Sequence, residues 1–229
     1  FAVSTEENRP IFTGCLFEIR NNKLNVVAVD GFRLAWKSKF LQTAVNDFSA
    51  VIPGRTLNEI NKILNDSFDT IKIGVSKNQA LFEMENCKIV TRLLDGEFLN
   101  YASVIPETWE TRIRVDKGSI QNCFERVSLI SASSIEKEKK YPVKVNVEIG
   151  KVTISCTNQT GDAKEEIFVE TEGKNLEAGF NPKYFLDALR AIDDEEIFVD
   201  FGTSISPCII RPVDDGDYRY MILPIRLKD

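Results

Sequence analysis

Leu24-Asn-Val-Val27 lies over Val152-Thr-Ile-Ser155, and Pro53-Gly-Arg-Thr-Leu-Asn-Glu-Ile60 lies over Asn181-Pro-Lys-Tyr-Phe-Leu-Asp-Ala188, when the chain is laid on itself at an offset of 128 residues. The match runs without a gap from Leu24 to Ser76. Further along, Ile71-Lys-Ile-Gly74 meets Val199-Asp-Phe-Gly202, and Ser76 meets Ser204. Solenoid repeats run to about 20–50 residues, so this period marks a duplicated domain instead. Two cations recur in register: Arg55 falls on Lys183, and Lys62 falls on Arg190. Basic positions repeated in two copies suggest a surface built around something anionic.

Composition bounds the rest. At 229 residues with 43% hydrophobic side chains, the chain has apolar material for two cores. The formal net charge of −6 argues against general affinity for nucleic acid. It leaves room for a local basic stripe, because counterion release depends on charges near the phosphates. The absence of histidine removes the commonest general base and the Ser–His and Cys–His pairs. Cys15, Cys87, Cys123, Cys156 and Cys208 are odd in number and show no C-x-x-C spacing, which reads as buried, reduced thiols in an intracellular protein. No signal peptide or membrane-spanning run is visible, and no cofactor or metal site is expected.

Period-2 alternation dominates and predicts strands at 16–20, 24–29, 70–75, 79–84, 88–93, 143–149, 152–156, 166–170, 197–201, 208–210 and 220–225. Helical spacing predicts helices from Arg55 to Asn65, Lys117 to Ser131 and Lys183 to Ile192, with a fourth, shortened helix over residues 1–9. The expected class is α+β, with antiparallel sheet and two helices per domain. The expected boundary near Glu107–Thr111 divides the chain into residues 1–109 and 110–229, joined by a short linker that holds a fixed domain pair.

On a helical wheel Arg55 and Lys62 lie within about 20° of each other. They oppose Leu57, Ile60, Ile63 and Leu64. Lys183 and Arg190 oppose Phe185, Ala188 and Ile192 in the same way. A solvated helix face is the plain alternative, since Glu59 and Asp187 flank the cations. The functional reading is non-specific phosphate contact, to which Lys117 and Arg126 add.

Several motifs carry a family resemblance: Val27-Ala-Val-Asp-Gly-Phe-Arg-Leu-Ala35, Val51-Ile-Pro-Gly-Arg-Thr-Leu57, Arg92-Leu-Leu-Asp-Gly-Glu-Phe-Leu-Asn-Tyr101, Gly179-Phe-Asn-Pro-Lys-Tyr-Phe-Leu-Asp-Ala-Leu189 and Tyr220-Met-Ile-Leu-Pro-Ile-Arg-Leu227. In this order they resemble the bacterial sliding clamp, the beta subunit of DNA polymerase III. The resemblance covers the second and third of that family's three domains, with the opening strand of the second expected to be missing. It implies duplicated processivity-fold domains in a head-to-tail homodimeric ring, sheets outside and helices around duplex DNA. Arg55, Lys62, Lys117, Lys183 and Arg190 would face the DNA.

The resemblance also implies a peptide pocket between those domains for linear motifs of the replicative polymerase, the clamp loader and repair polymerases. Its residues here would be Phe12, Val29, Gly31, Phe32, Arg33, Leu34, Leu99, Val104, Asn181, Tyr184, Ile205, Pro207, Met221, Ile222, Leu223, Pro224, Ile225 and Arg226. Phe32, Leu99 and Ser103 depart from the family's frequent His, Pro and Arg, and the Lys228-Asp229 tail extends past its usual ending. Each pocket residue also has an ordinary core or turn reading. The ring seam would use Arg126, Leu129, Ile130, Glu165 and Glu166. The implied location is cytoplasmic, with no membrane partner and no catalysis. Two alternatives stand beside this: a protein scaffold without DNA contact, and a hydrolase using Asp214, Asp215 and Asp217, a run that also reads as a solvated turn.

Overall fold

The computed structural model describes residues 1–42, 45–64, 70–84, 87–132, 141–214 and 216–227. The expected helix end at Asn65, the carboxylate of Asp215 and the Lys228-Asp229 tail lie outside them. The chain divides into two compact units, Ala2–Tyr101 and Ala102–Asp229, with Phe1 grouped with the latter.

In the N-terminal unit, β1 (Gly14–Arg20), β2 (Lys23–Val29), β3 (Arg33–Phe40) and β4 (Phe48–Pro53) pair antiparallel in the order β3-β2-β1-β4. The β1–β2 turn is Asn21-Asn22, with φ of 50° and 63°. Asn tolerates this left-handed region better than most residues, which makes the pair hairpin chemistry. Then follow α1 (Gly54–Ile63) and a three-stranded sheet of β5 (Lys72–Val75), β6 (Gln79–Met84) and β7 (Cys87–Arg92). The core joins Ile52, Ile60, Ala80 and Phe82, with Phe17, Leu57 and Leu64 packed against them. Alternate strand residues and one face of α1 thus converge on a single apolar layer.

In the C-terminal unit, β8 (Thr111–Asp116) leads into α2 (Lys117–Ala132). Next come β9 (Val143–Glu148), β10 (Lys151–Asn158), β11 (Gly161–Phe168), β12 (Glu170–Gly173) and β13 (Leu176–Phe180). Helix α3 (Pro182–Arg190), β14 (Glu196–Phe201), β15 (Cys208–Pro212) and β16 (Tyr218–Ile222) close the unit. One sheet runs β11-β10-β9-β13, and other strands run β12-β8-β14-β15-β16. Phe185 of α3 stacks on Phe124 of α2 with ring centroids 4.4 Å apart, and Phe180 meets Phe185 edge-on at 5.2 Å. Aromatic pairs in these geometries add to what their buried area contributes.

The offset of the sequence is present in the fold. Gly54 and Pro182 open equivalent helices, and Lys23 and Lys151 open equivalent strands. Strands β3-β2-β1-β4 repeat as β11-β10-β9-β13.

Three expectations are corrected. Residues 1–9 are not an α-helix: the Ser4 amide donates to the Phe12 carbonyl at 2.9 Å, and Pro10 opens a 3-10 turn over Pro10–Thr13. Among the described residues the N-terminal unit therefore has one α-helix, not two. The strand expected over 166–170 is the end of β11 and the start of β12; Val169 breaks it, its amide turning to the Gly150 carbonyl at 3.1 Å.

The described cysteines form no disulfide; Cys123, Cys156 and Cys208 are buried and Cys15 and Cys87 partly so. Burial pushes the Cys15 thiol up to about 11, and raises Cys208 further. Among the described residues no helix is long and apolar enough to cross a membrane.

Candidate nucleic-acid and peptide interfaces

Helices α1 and α3 place their cations alike. Arg55, Lys62, Lys183 and Arg190 are all exposed, while Ile60 of α1 and Phe185, Ala188 and Leu189 of α3 are buried. The amphipathic pattern accounts for this: an apolar stripe seats each helix and leaves the opposite face to water. In each helix the second cation has a carboxylate. Lys62 reaches Glu59 at 2.8 Å, and Arg190 reaches Glu125 of α2 at 3.1 Å. The Lys62 hydrogen bond and charge lower the Glu59 carboxyl; hydrogen bonds from Gln121 and Arg190 lower that of Glu125. Such exposed pairs contribute little to stability, so the cations remain available to another anion. Lys117 is half-buried at the start of α2.

The two helices start differently. The Asn181 side chain caps α3 by accepting from the Lys183 amide at 3.1 Å, with Pro182 at the first position, where a missing N–H costs nothing. At α1 the N-cap is Pro53, with no side-chain cap.

The expected pocket residues fall into both units. In the N-terminal unit Phe12 meets Phe98 edge-on at 5.8 Å. Gly31 sits at φ 93°, in a turn closed by Asp30. The Asp30 carboxylate accepts from the Phe32 amide at 2.9 Å, the Arg33 amide at 3.0 Å and Arg33 Nε at 2.9 Å. Phe32 is left exposed, while Val29, Arg33 and Leu34 are buried and Leu99 half-buried.

In the C-terminal unit Ile205, Ile225 and Arg226 gather around one cleft of about 360 Å³. Glu177, Ala178, Gly179, Ser204 and Leu227 complete its lining; the sequence motifs contain Gly179 and Leu227, and the repeat contains Ser204, but none of the five was expected at the pocket. Asn181 and Tyr184 stand at the start of α3, Tyr184 half-buried. Val104, Pro207, Leu223 and Pro224 are half-buried; Met221 and Ile222 are buried. Ile205 is 66% exposed, so it presents apolar surface that nothing in its own unit covers.

Of the expected seam residues, Arg126 forms a fork with Glu165, Nε to Oε1 and Nη2 to Oε2 both 2.8 Å. That fork lowers the Glu165 carboxyl. Glu166 is paired instead with Lys164 at 2.8 Å. Leu129 is 69% exposed, and Ile130 half-buried. Strand β11 ends its sheet, with Asp162, Lys164, Glu166 and Phe168 turned to solvent. Charges along an exposed strand are a usual guard against indiscriminate pairing.

Asp214 and Asp217 are exposed, and among the described residues no cluster of acids or cysteines could hold a metal ion.

Comparison with known proteins accounts for the arrangement. The family model for the DNA polymerase III beta subunit, central domain, matches residues 1–100, and that for its C-terminal domain matches residues 102–226. A "Beta sliding clamp" from Staphylococcus epidermidis is 36% identical over 228 residues, covering 99% of this chain and 59% of the relative. The DNA polymerase sliding clamp of Bacillus subtilis superposes with a TM-score of 0.94 at 33% identity, over 100% of this chain and 60% of that one. A DNA polymerase III beta subunit structure from Eubacterium rectale gives 0.93 at 33% identity, over 98% and 60%. The chain thus spans about three-fifths of the length of these relatives. It belongs to the DNA polymerase III beta subunit, or sliding clamp, family.

Proposed function

We propose that the chain is the central and C-terminal part, residues 1–109 and 110–229, of a homodimeric cytoplasmic ring that encircles duplex DNA. The ring is non-catalytic and confers processivity on the replicative polymerase. Arg55, Lys62, Lys117, Lys183 and Arg190 face the DNA. Enclosure retains the duplex, while diffuse attraction to phosphates permits sliding. The observation that carries this reading is the equivalent exposure of Arg55/Lys62 and Lys183/Arg190 on helices one repeat apart. An acidic chain that keeps cations at the same two places in both copies is concentrating them against its overall charge.

The pocket residues named above, including Ile205, Ile225 and Arg226 at the cleft, receive linear motifs of the polymerase, the clamp loader and repair polymerases. Apolar walls accept Leu and Phe anchors, and the polar groups orient the peptide backbone. Arg126, Leu129, Ile130, Glu165 and Glu166 meet the partner subunit.

The test is charge reversal of Arg55, Lys62, Lys183 and Arg190 together in the complete clamp. Each lost phosphate contact reduces the salt-dependence slope of DNA affinity by about 0.9. Clamp-dependent processive synthesis should collapse. Undiminished synthesis would favour a protein scaffold that does not touch DNA, which the carboxylate partners of Lys62 and Arg190 also suit.

A further inference from the structure

The C-terminal segment lies against β13 at Gly179. The Ile225 amide donates to the Gly179 carbonyl at 2.8 Å, and the two residues form an isolated antiparallel bridge. A β-carbon on Gly179 would stand 2.7 Å from the Ile225 carbonyl oxygen, 2.7 Å from Leu227 Cδ2 and 3.1 Å from Leu227 Cγ. The oxygen belongs to the backbone and cannot rotate away. Gly179 has no left-handed φ, so its own conformation suits any residue.

The other copy shows that the strand does not ask for glycine. One repeat earlier the position is Val51, and there too a strap crosses: the Leu94 amide donates to the Val51 carbonyl at 2.9 Å. In that copy the neighbouring strand carries a glycine, but mainly for its own sheet: a β-carbon on Gly14 would stand 2.6 Å from the Ile52 carbonyl oxygen and 2.9 Å from Val51 Cγ1, and the strap adds only Leu94 Cδ1 at 2.8 Å. The residue one repeat after Gly14 is Pro142. In the second copy, by contrast, the backbone of the strap itself stands where a side chain on Gly179 would go.

We infer that Gly179 is a positioning residue: by presenting no side chain it seats Ile225–Leu227 on the edge of β13 and so holds Ile225 and Arg226 at the cleft. This rests on the reading of that cleft as part of a peptide site. Gly179 donates nothing to the peptide itself; it acts through the strap.

The experiment is Gly179→Ala in the whole chain, read two ways. Hydrogen exchange at the Ile225 amide should accelerate by about tenfold or more as the strap lifts. Affinity for a fluorescent peptide carrying Gln, Leu and Phe should fall by about tenfold, as for loss of a pocket wall. Unchanged exchange at Ile225 overturns the inference. If the unaltered chain does not bind the peptide, the pocket reading fails, while the exchange result still decides the role of Gly179. A second arm removes residues 225–229. Without the strap, Gly179→Ala should leave the melting temperature unchanged or raise it, because alanine restricts the unfolded chain. A lower melting temperature in that background would place the cost in β13 and overturn the inference.

Discussion

Arg112 of β8 and Asp200 of β14 face each other as cross-strand partners and are joined by a fork of two hydrogen bonds, one of them 2.9 Å from Nη2 to Oδ2. Arg211 of β15 adds a third, from Nε to the same Oδ2 at 2.9 Å. The Arg112 guanidinium also lies over Trp109 at 4.3 Å and Phe198 at 4.7 Å, and Arg211 lies over Phe198 at 4.7 Å. One carboxylate thus ties three neighbouring strands, with aromatic rings shielding the cations. Bidentate geometry and partial desolvation place this cluster above an ordinary surface pair.

Asp200→Ala should therefore cost about 2–4 kcal/mol, because two guanidinium groups lose a shared partner in a site mostly closed to water. Arg114→Ala, whose pair with Glu196 is exposed, should cost under about 1 kcal/mol. Urea denaturation of both variants checks the contrast. Equal losses would mean that the Asp200 cluster is no more than a surface ion pair.

Alkaline pH should weaken the fold from about pH 9 upward. Burial raises the Cys15 thiol from 9.0 to about 11. Desolvation, first among the causes, raises Tyr101 and Tyr220 from 10.0 to about 12, and in Tyr101 the hydrogen bond to Glu18 adds to it. Raised values mean that the folded state keeps protons that the unfolded chain releases. Their stabilising effect is complete below pH 9 for Cys15 and below pH 10 for the tyrosines. It fades as pH climbs towards the folded values. The urea midpoint should hold constant from neutral pH to about 9 and then decline, and Tyr101→Phe should make the decline shallower. A midpoint that stays level through pH 12 would contradict this assignment.

Peptide binding should separate from stability at Ile205. The side chain is largely exposed at the cleft, so Ile205→Asp should change stability by under about 0.5 kcal/mol. It should nevertheless weaken a Gln- and Leu/Phe-containing peptide by about tenfold or more. Leu34→Ala and Met221→Ala are poorer probes. Both side chains are buried, and truncating them should cost about 2–5 kcal/mol whatever happens to the peptide. Fluorescence anisotropy alongside thermal melts measures both quantities. Full affinity in Ile205→Asp would remove that side of the cleft from the peptide site.

Leu129→Asp addresses the proposed seam. Exposed at 69%, Leu129 contributes little to its own unit, so melting should shift only slightly. In the complete clamp the same change should drive the dimer towards monomer in sedimentation. A dimer unchanged at nanomolar concentration would exclude Leu129 from the seam.

Much of this was legible in residue order because the duplication is ungapped: Arg55 and Lys183, or Gly74 and Gly202, could be aligned by counting. Strong periodicity gave α1, α2 and α3 within a few residues of their ends. Not every strand showed in the pattern. In Arg33–Phe40 the burial does not alternate cleanly. Phe48–Pro53 and Leu176–Phe180 run directly into helices, so their short patterns merge with the helical ones. The helix expected at residues 1–9 does not form; there the Ser4 amide donates to the Phe12 carbonyl and Pro10 opens a 3-10 turn. For the interfaces, exposed charges on helices could be read from the wheel. The role of Gly179 could not, since it depends on a strap that returns from far along the chain. The Asp200 cluster was hidden for the same reason, since Arg112 comes to Asp200 and Arg211 from a strand far back in the sequence.

The turn Asn21-Asn22 and its counterpart Ile149-Gly150 join equivalent strand pairs with equal numbers of residues, yet by different backbone routes: both asparagines are left-handed, whereas in the second pair only Gly150 is, at φ 76°. What the two copies share is the length of the closure and not its route, and each route is tied to its own surroundings: Asn22 Nδ2 donates to the Leu41 carbonyl, whereas the Gly150 amide donates to Thr171 Oγ1. Duplication thus preserved the register of the hairpin, which two residues of any suitable backbone can close, and left the turn itself to be shaped by whatever segment lies beside it.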